Sequence, residues 1–345
     1  MRAVIKAVEY ALPENILTNE QLADEFPEWT AEKIEKKLGI VTRHIAGEDE
    51  CASDLAVEAA RKVFSKGYCR SGDVDFLLCC TQSPDYILPT TACLLQERLS
   101  LSTRTGALDF NLGCSGYIYG LGLAKGLVET GQARNVLLVT ADTYSKYLHQ
   151  DDKGVRTLFG DGASATLITS VDRKTGADPL GPFCYGTDGR GAKNFIVPAG
   201  GCRTLRSFGH GTIRSADRNS LSIEESLFMD GPEIFTFSIK VVPDVVEQVL
   251  EKADLQIEWV DFFIFHQANK YMLEFLRKKI KIPADKFYNP LSRTGNTVSS
   301  SIPIAMKQAF NDGLLSAGQR ILLAGFGVGY SWGATLIEWP EEFSG

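Results

Sequence analysis

Three residues whose types suit nucleophilic catalysis stand at the ends of periodic segments: Cys114, His266 and Asn296. Cys114 lies within the stretch Gly106 to Gly126. There a short apolar run, Ala107 to Leu112, gives way after Ser115 to apolar residues at helical spacing, Ile118, Leu121, Leu123 and Leu127. The thiol therefore falls where a strand turns into a buried helix. The first N–H groups of a helix lack partners, and the positive end of its dipole favours an anion. A thiol in that setting can ionise near neutral pH and act as a nucleophile. The competing reading is a small buried core cysteine, and only its companions decide between the two.

The companions come from an internal repeat. The first half reads as helices over Thr18 to Phe26 and Ala31 to Leu38, with a third from Ser53, then a strand Val74 to Thr81 and a helix Thr91 to Leu99. A strand Asn135 to Thr140, a polar loop Thr143 to Arg156 and a strand Leu158 to Thr169 follow the Cys114 helix. Val74-Asp-Phe-Leu-Leu recurs as Val260-Asp-Phe-Phe-Ile, and Gly131-Gln-Ala-Arg before Asn-Val-Leu-Leu as Gly318-Gln-Arg before Ile-Leu-Leu. Ser164-Ala-Thr-Leu-Ile recurs as Gly333-Ala-Thr-Leu-Ile. The chain thus reads as two copies of one βα-alternating unit, 1–180 and 220–345. Between them, Gly181 to Asn219 is a Gly-rich, aperiodic insertion carrying Arg190, Lys193, Arg203, Arg206, Arg214 and Arg218 against only Asp188 and Asp217. In the second copy Ser292-Arg-Thr-Gly-Asn296 precedes a helix, Thr297 to Phe310, as Leu112-Gly-Cys114 precedes its own. The strand from Val260 runs out into His266-Gln-Ala-Asn269. Sites in α/β sheets form where strand carboxyl ends meet helix N-termini, so the symmetry predicts that Cys114, His266 and Asn296 converge. A bare N-cap for Asn296 and a structural role for His266 are the alternatives.

Gly113-Cys114-Ser115-Gly116, Phe159-Gly-Asp-Gly-Ala, His266-Gln-Ala-Asn269, Gly295-Asn296-Thr and Gly325-Phe-Gly-Val-Gly-Tyr-Ser-Trp-Gly resemble, in order, the motifs of β-ketoacyl-ACP synthase III in the thiolase superfamily. The resemblance implies a thiolase-like αβαβα layered fold of the α/β class, a Cys-His-Asn site and a homodimer. It implies an acyl group loaded on Cys114 from a thioester, then decarboxylative Claisen condensation with a malonyl thioester such as malonyl-ACP. His266 and Asn296 would donate to the enolate oxygen, with the backbone amides of Cys114 and the Gly327-Val328-Gly329 turn holding the acyl-transfer oxyanion. Phe326 would supply an apolar wall. Leu88, in the loop Pro84 to Pro89, matches a segment that reaches the neighbouring subunit's pocket. Substrates would be CoA or acyl-carrier-protein thioesters, with no cofactor.

Two features depart from that pattern. Where the family often has Arg two residues after the Asn of His-Gln-Ala-Asn for carrier docking, this chain has Tyr271. Lys270, Arg277, Lys278 and Lys281 nevertheless share one face of an expected helix 269–281, suited either to an acidic carrier or to solvent. The family's CoA clamp has only a loose counterpart in Trp29, Lys37 and Lys153.

Bulk properties narrow the classes. In 345 residues, 44% apolar with net charge −7, no window reaches the ~18 apolar residues of a membrane span, and the acidic balance argues against nucleic acid. The opening Met1-Arg-Ala-Val-Ile-Lys reads as a strand rather than a signal peptide. Eight Cys without C-x-x-C spacing point to free thiols in a cytoplasmic setting, and four unpaired His argue against structural zinc. A thiolase would need a second Cys in Gly325 to Gly333, and hydroxymethylglutaryl-CoA synthase chemistry a Glu near Cys114 from residues 81–96; neither is present. Gly325-x-Gly-x-Gly lacks the third Gly of a dinucleotide fingerprint. An acyltransferase of the same fold, passing the acyl group to an alcohol or amine, stays open beside condensation.

Overall fold

The computed structural model describes residues 1–172, 178–205 and 223–340. The first half runs β1 (Arg2–Ala11), β2 (Ile16–Thr18), α1 (Asn19–Glu25), α2 (Ala31–Leu38), β3 (Thr42–His44), α3 (Ala52–Ser65), β4 (Phe76–Cys80), α4 (Thr91–Arg98), β5 (Gly106–Phe110) and α5 (Gly116–Glu129). Then come β6 (Asn135–Asp142), α6 (Lys153–Arg156), β7 (Gly162–Val171), β8 (Leu180–Thr187), β9 (Phe195–Ile196) and β10 (Phe228–Met229). The chain continues through α7 (Gly231–Ala253), β11 (Phe262–Phe265), α8 (Lys270–Ile280), α9 (Ser301–Asn311), β12 (Arg320–Gly327) and β13 (Ser331–Glu338).

Two main sheets form, ordered β1-β7-β6-β4-β5 and β11-β12-β13-β8. Their pairings match the repeat strand for strand. β4–β6 and β11–β12 are parallel, β6–β7 and β12–β13 antiparallel, and β1 closes the first sheet as β8 closes the second. The mate of β5 shrinks to a single parallel bridge, Phe263 with Phe287. Each central strand buries both faces, as strands covered on two sides must. On β12, Ile321 and Leu323 join the core between the sheets, whereas Leu322, Ala324 and Phe326 face the outer core with Val245, Val249 and Leu273. Helices α5 and α9 fill the middle layer, α3 and α4 cover the first sheet, and α7 and α8 the second, giving α/β/α/β/α layers. Local chemistry sets the helix ends: Thr18 and Gln21 form a capping box on α1, Gly39 ends α2 in the left-handed region, and Asn269 caps α8.

The structure departs from the sequence reading in four places. The expected insertion 181–219 begins as β8, a core strand hydrogen-bonded to β13; its Arg206, Arg214, Asp217 and Arg218 lie outside the described residues. The strand expected from Leu158 starts only at Gly162, because residues 158–160 leave the sheet to pair with Asn296. The helix expected from Thr297 is a 3₁₀ turn, Val298–Ser300, followed by α9. Within the expected polar loop 143–156, Tyr144–Tyr147 forms a 3₁₀ turn whose Tyr144 is buried.

Candidate active site

Cys114 sits in the turn between β5 and α5, buried at 3% exposure. Glycines bring β12 against it. A Cβ on Gly327 would stand 2.7 Å from the Cys114 sulfur, and one on Gly325 2.7 Å from the Cys114 carbonyl oxygen. That close approach lets the Val328 backbone hydrogen-bond the thiol. Burial pushes the Cys114 thiol up to about 12, against the pull of hydrogen bonds from the Val328 and Cys114 backbone. The expectation of a thiol ionised near neutrality is therefore corrected: desolvation outweighs the helix start.

His266 follows β11, its N–H bonded to the Ala324 carbonyl at 2.8 Å. Its Nδ1 is 2.7 Å from the Ser301 hydroxyl, which also accepts from the Gln267 N–H at 3.3 Å. A Ser301 hydroxyl that donates to Nδ1 leaves the imidazole proton on Nε2. Burial pulls His266 down to about 3, so the ring is neutral through the physiological range. The Asn296 side-chain oxygen accepts from the Val298 N–H at 2.9 Å, which turns its amide nitrogen toward His266 Nε2 at 3.5 Å. Val298 takes φ 52° there, an uncommon backbone state for a β-branched residue. With the imidazole proton on Nε2, two N–H donors stand 3.5 Å apart, an arrangement suited to an oxygen that gains negative charge. The Phe326 ring stands edge-on to His266, centroids 5.7 Å apart.

Cys114, His266, Asn296, Phe326 and Gly327 line one cavity, the convergence that the symmetry predicts. Apolar side chains from distant segments, among them Leu158, Phe195, Ile234 and Met272, complete its walls. Val328 presses its side chain toward Gly113, and Gly329 turns the chain at φ 142°. Leu88 does not line the cavity of its own chain and is 81% exposed. Sequence reading missed Ser301, although the run Ser299-Ser300-Ser301 just after Asn296 was a signal. It also missed Asp142, which accepts from the Gln82 and Ser299 N–H groups and so ties the two halves behind the cysteine.

The basic residues are less uniform than the helical face implied. Lys270, Lys278 and Lys281 are exposed, Lys281 beyond the end of α8 in the left-handed region. Arg277 is instead turned onto Glu274 at 2.9 Å and the Ile282 carbonyl at 3.0 Å, which removes it from the free cationic face. Lys37 lies over the Trp29 ring, 4.7 Å from its centroid, and Lys153 pairs with Glu28 at 2.5 Å. Among the described residues, no cluster of His, Cys, Asp and Glu could hold a metal ion, and no helix is long and apolar enough to cross a membrane.

Comparison with known proteins follows the same lines. The family model for 3-oxoacyl-[acyl-carrier-protein (ACP)] synthase III matches residues 108–189, and that for its C-terminal part residues 250–339. A β-ketoacyl-[acyl-carrier-protein] synthase III of Caldanaerobacter subterraneus subsp. tengcongensis is 39% identical over 96% of both chains. One from Clostridium perfringens is 37% identical over 94% of this chain and 96% of the relative. Among solved structures, a 3-oxoacyl-(acyl-carrier-protein) synthase III superposes with TM-score 0.93 at 51% identity, covering 98% of this chain and 100% of the other. The synthase III of Pseudomonas aeruginosa PAO1 superposes with TM-score 0.87 at 29% identity over 99% of both chains.

Proposed function

The chain belongs to the β-ketoacyl-ACP synthase III family, and from that premise we propose how its own residues carry the condensation. The Cys114 sulfur attacks the carbonyl of an acyl thioester, the bond to the carrier sulfur breaks, and the thiol proton leaves with the carrier as its free thiol. The amides of Cys114 and Val328 hold the oxyanion of that step. A malonyl thioester then loses carbon dioxide, and the electron pair of the broken C–C bond passes into an enolate. His266 Nε2–H and the Asn296 amide hydrogen-bond the enolate oxygen while its carbon attacks the acyl-Cys114 carbonyl. The bond to Cys114 breaks, a 3-oxoacyl thioester departs, and the thiolate regains a proton. The apolar cavity favours a step that consumes a charged carboxylate.

One observation carries this reading: the paired donors of His266 and Asn296, 3.5 Å apart, in the same cavity as Cys114. Acyl transfer to an alcohol or amine needs no such pair beyond the oxyanion amides, and the relatives' names support condensation. The test is to supply a panel of acyl-CoAs with malonyl-ACP and look by mass for the 3-oxoacyl-ACP; acyl-enzyme without that product would favour simple acyl transfer. Lys270, Lys278 and Lys281 are exposed on and beside α8 and suit an acidic carrier. Trp29, Lys37 and Lys153 are the residues offered for the CoA nucleotide. Eight free cysteines fit a cytoplasmic setting.

The protein assembles as a homodimer in this reading. Tyr86, Ile87 and Leu88 are 60%, 83% and 81% exposed, and β5 is an edge strand whose Leu108 faces out. Unpaired edges and contiguous apolar loops are ordinarily covered. Light scattering at micromolar concentration should give about twice 37.8 kDa; a monomer would contradict it.

The pH profile follows from His266. Because its ring is held neutral down to about 3, its Nε2–H donor persists unchanged as pH varies between about 5 and 8. Carbon dioxide release, measured on enzyme already acylated, should be flat over that range. A loss centred near the ordinary histidine value of about 6.5 would show that the imidazole titrates and that the donor assignment is wrong.

A further inference from the structure

Arg43, in β3, is fully buried at 0% exposure, and among the described residues every partner of its guanidinium is a neutral oxygen. Nε and Nη2 donate to the Thr157 carbonyl at 2.9 and 2.5 Å. Nη1 donates to the Asn19 side-chain oxygen at 2.5 Å and to the Val41 carbonyl at 3.4 Å. Burying a cation without an anion is costly, so the arrangement calls for a purpose beyond packing.

Its surroundings supply one. The segment after Thr157 is what holds Asn296: the Asn296 N–H donates to the Leu158 carbonyl, and its own carbonyl accepts from the Gly160 N–H, both at 3.0 Å. The stem of Arg43 lies beneath both sides of this pairing. A Cβ on Gly295 would stand 3.0 Å from the Arg43 Cγ, and one on Gly160 3.4 Å from its Cβ. The two residues before Arg43 grip the other end of the loop, with the Val41 N–H on the Ser292 carbonyl at 2.7 Å and the Thr42 hydroxyl on the Arg293 carbonyl at 3.1 Å. Cys114 is held by different elements, β5, α5 and β12.

We propose that Arg43 is a positioning residue for the decarboxylating half-reaction, fixing the 157–160 segment so that the Asn296 amide stays aimed beside His266 Nε2. This deepens the functional reading above and rests on it. A guanidinium that props only Asn296 should affect one half-reaction and spare the other. Full-length Arg43→Met should load acyl groups, from the best of a panel from acetyl- to octanoyl-CoA, within about twofold of wild type while carbon dioxide release from carboxyl-labelled malonyl-ACP falls ~10–10²-fold. Arg43→Lys, which keeps the charge but loses the forked donation, should fall between. In an Asn296→Ala background, Arg43→Met should add no further loss of carbon dioxide release.

Equal loss of both half-reactions, or a full additional loss in the Asn296→Ala background, would overturn the proposal. Should Arg43→Met fail to fold, the same ratio is read on Arg43→Lys and on Asn19→Ala, which removes the side-chain acceptor; an unchanged ratio in both overturns it equally. Wild-type enzyme that loads acyl groups yet releases no carbon dioxide would remove the functional reading itself and this inference with it.

Discussion

Cys114→Ala is expected to abolish acyl loading. Its sulfur is the nucleophilic atom in the cavity, where it meets the Val328 backbone that would hold the first oxyanion. Removing a nucleophile in such a unit costs on the order of 10⁴-fold or more in rate, which intact mass spectrometry reads as no acyl adduct where wild type shows one. Folding should survive, because the change deletes one buried atom and leaves a void worth about 1 kcal/mol; thermal unfolding provides the control. The exposed Cys93 and Cys202 can take acyl groups non-specifically, so peptide mapping must locate any residual adduct. An adduct of wild-type size and rate on the Cys114→Ala protein would transfer the nucleophile's role elsewhere.

That the cysteine was legible in the sequence, while its ionisation was not, has a physical reason. Helical spacing after Ser115 announces the start of α5, and hence the dipole. The burial that opposes it comes from Gly325 and Gly327, about two hundred residues away, which let β12 lie on the sulfur. The repeat was legible because the alternation on β4, β6 and β7 and on their mates is strong. β8 was not: its sequence Leu-Gly-Pro-Phe-Cys-Tyr-Gly-Thr interrupts the apolar period with two glycines and a proline, and only its register with β13 makes it a strand. Asn296 was found by symmetry but mistaken for a helix start. Its side chain caps the Val298 N–H of a 3₁₀ turn instead, a geometry that no periodicity announces. Arg43 gave no signal at all, since its burial depends on Asn19, Thr157 and Gly295 arriving from three separate segments.

Asn296→Ala should separate the two half-reactions most sharply. Acyl loading uses the Cys114 sulfur and the amides around it; decarboxylation uses donors aimed at the enolate oxygen. Deleting the Asn296 amide leaves the first set intact and halves the second. Loading should stay near wild type while carbon dioxide release falls ~10²–10³-fold, the usual cost of one preorganised donor. His266→Ala removes the other donor and should fall comparably, with slower loading as well if the imidazole helps hold the Cys114 thiolate. The decisive variant is Asn296→Asp. Its carboxylate is nearly the same shape and can still accept from the Val298 N–H at the 2.9 Å position of the native oxygen. It presents a second acceptor to the enolate where the native residue presents a donor. If Asn296 were only a structural cap, Asp would be tolerated and Ala would not. If Asn296 stabilises negative charge, Asp should be at least as damaging as Ala, because it repels the enolate oxygen as well as failing to bond it. Acyl-enzyme by mass and labelled carbon dioxide, followed in parallel on the three variants, distinguish these outcomes; near wild-type carbon dioxide release from Asn296→Asp would end the enolate-donor role.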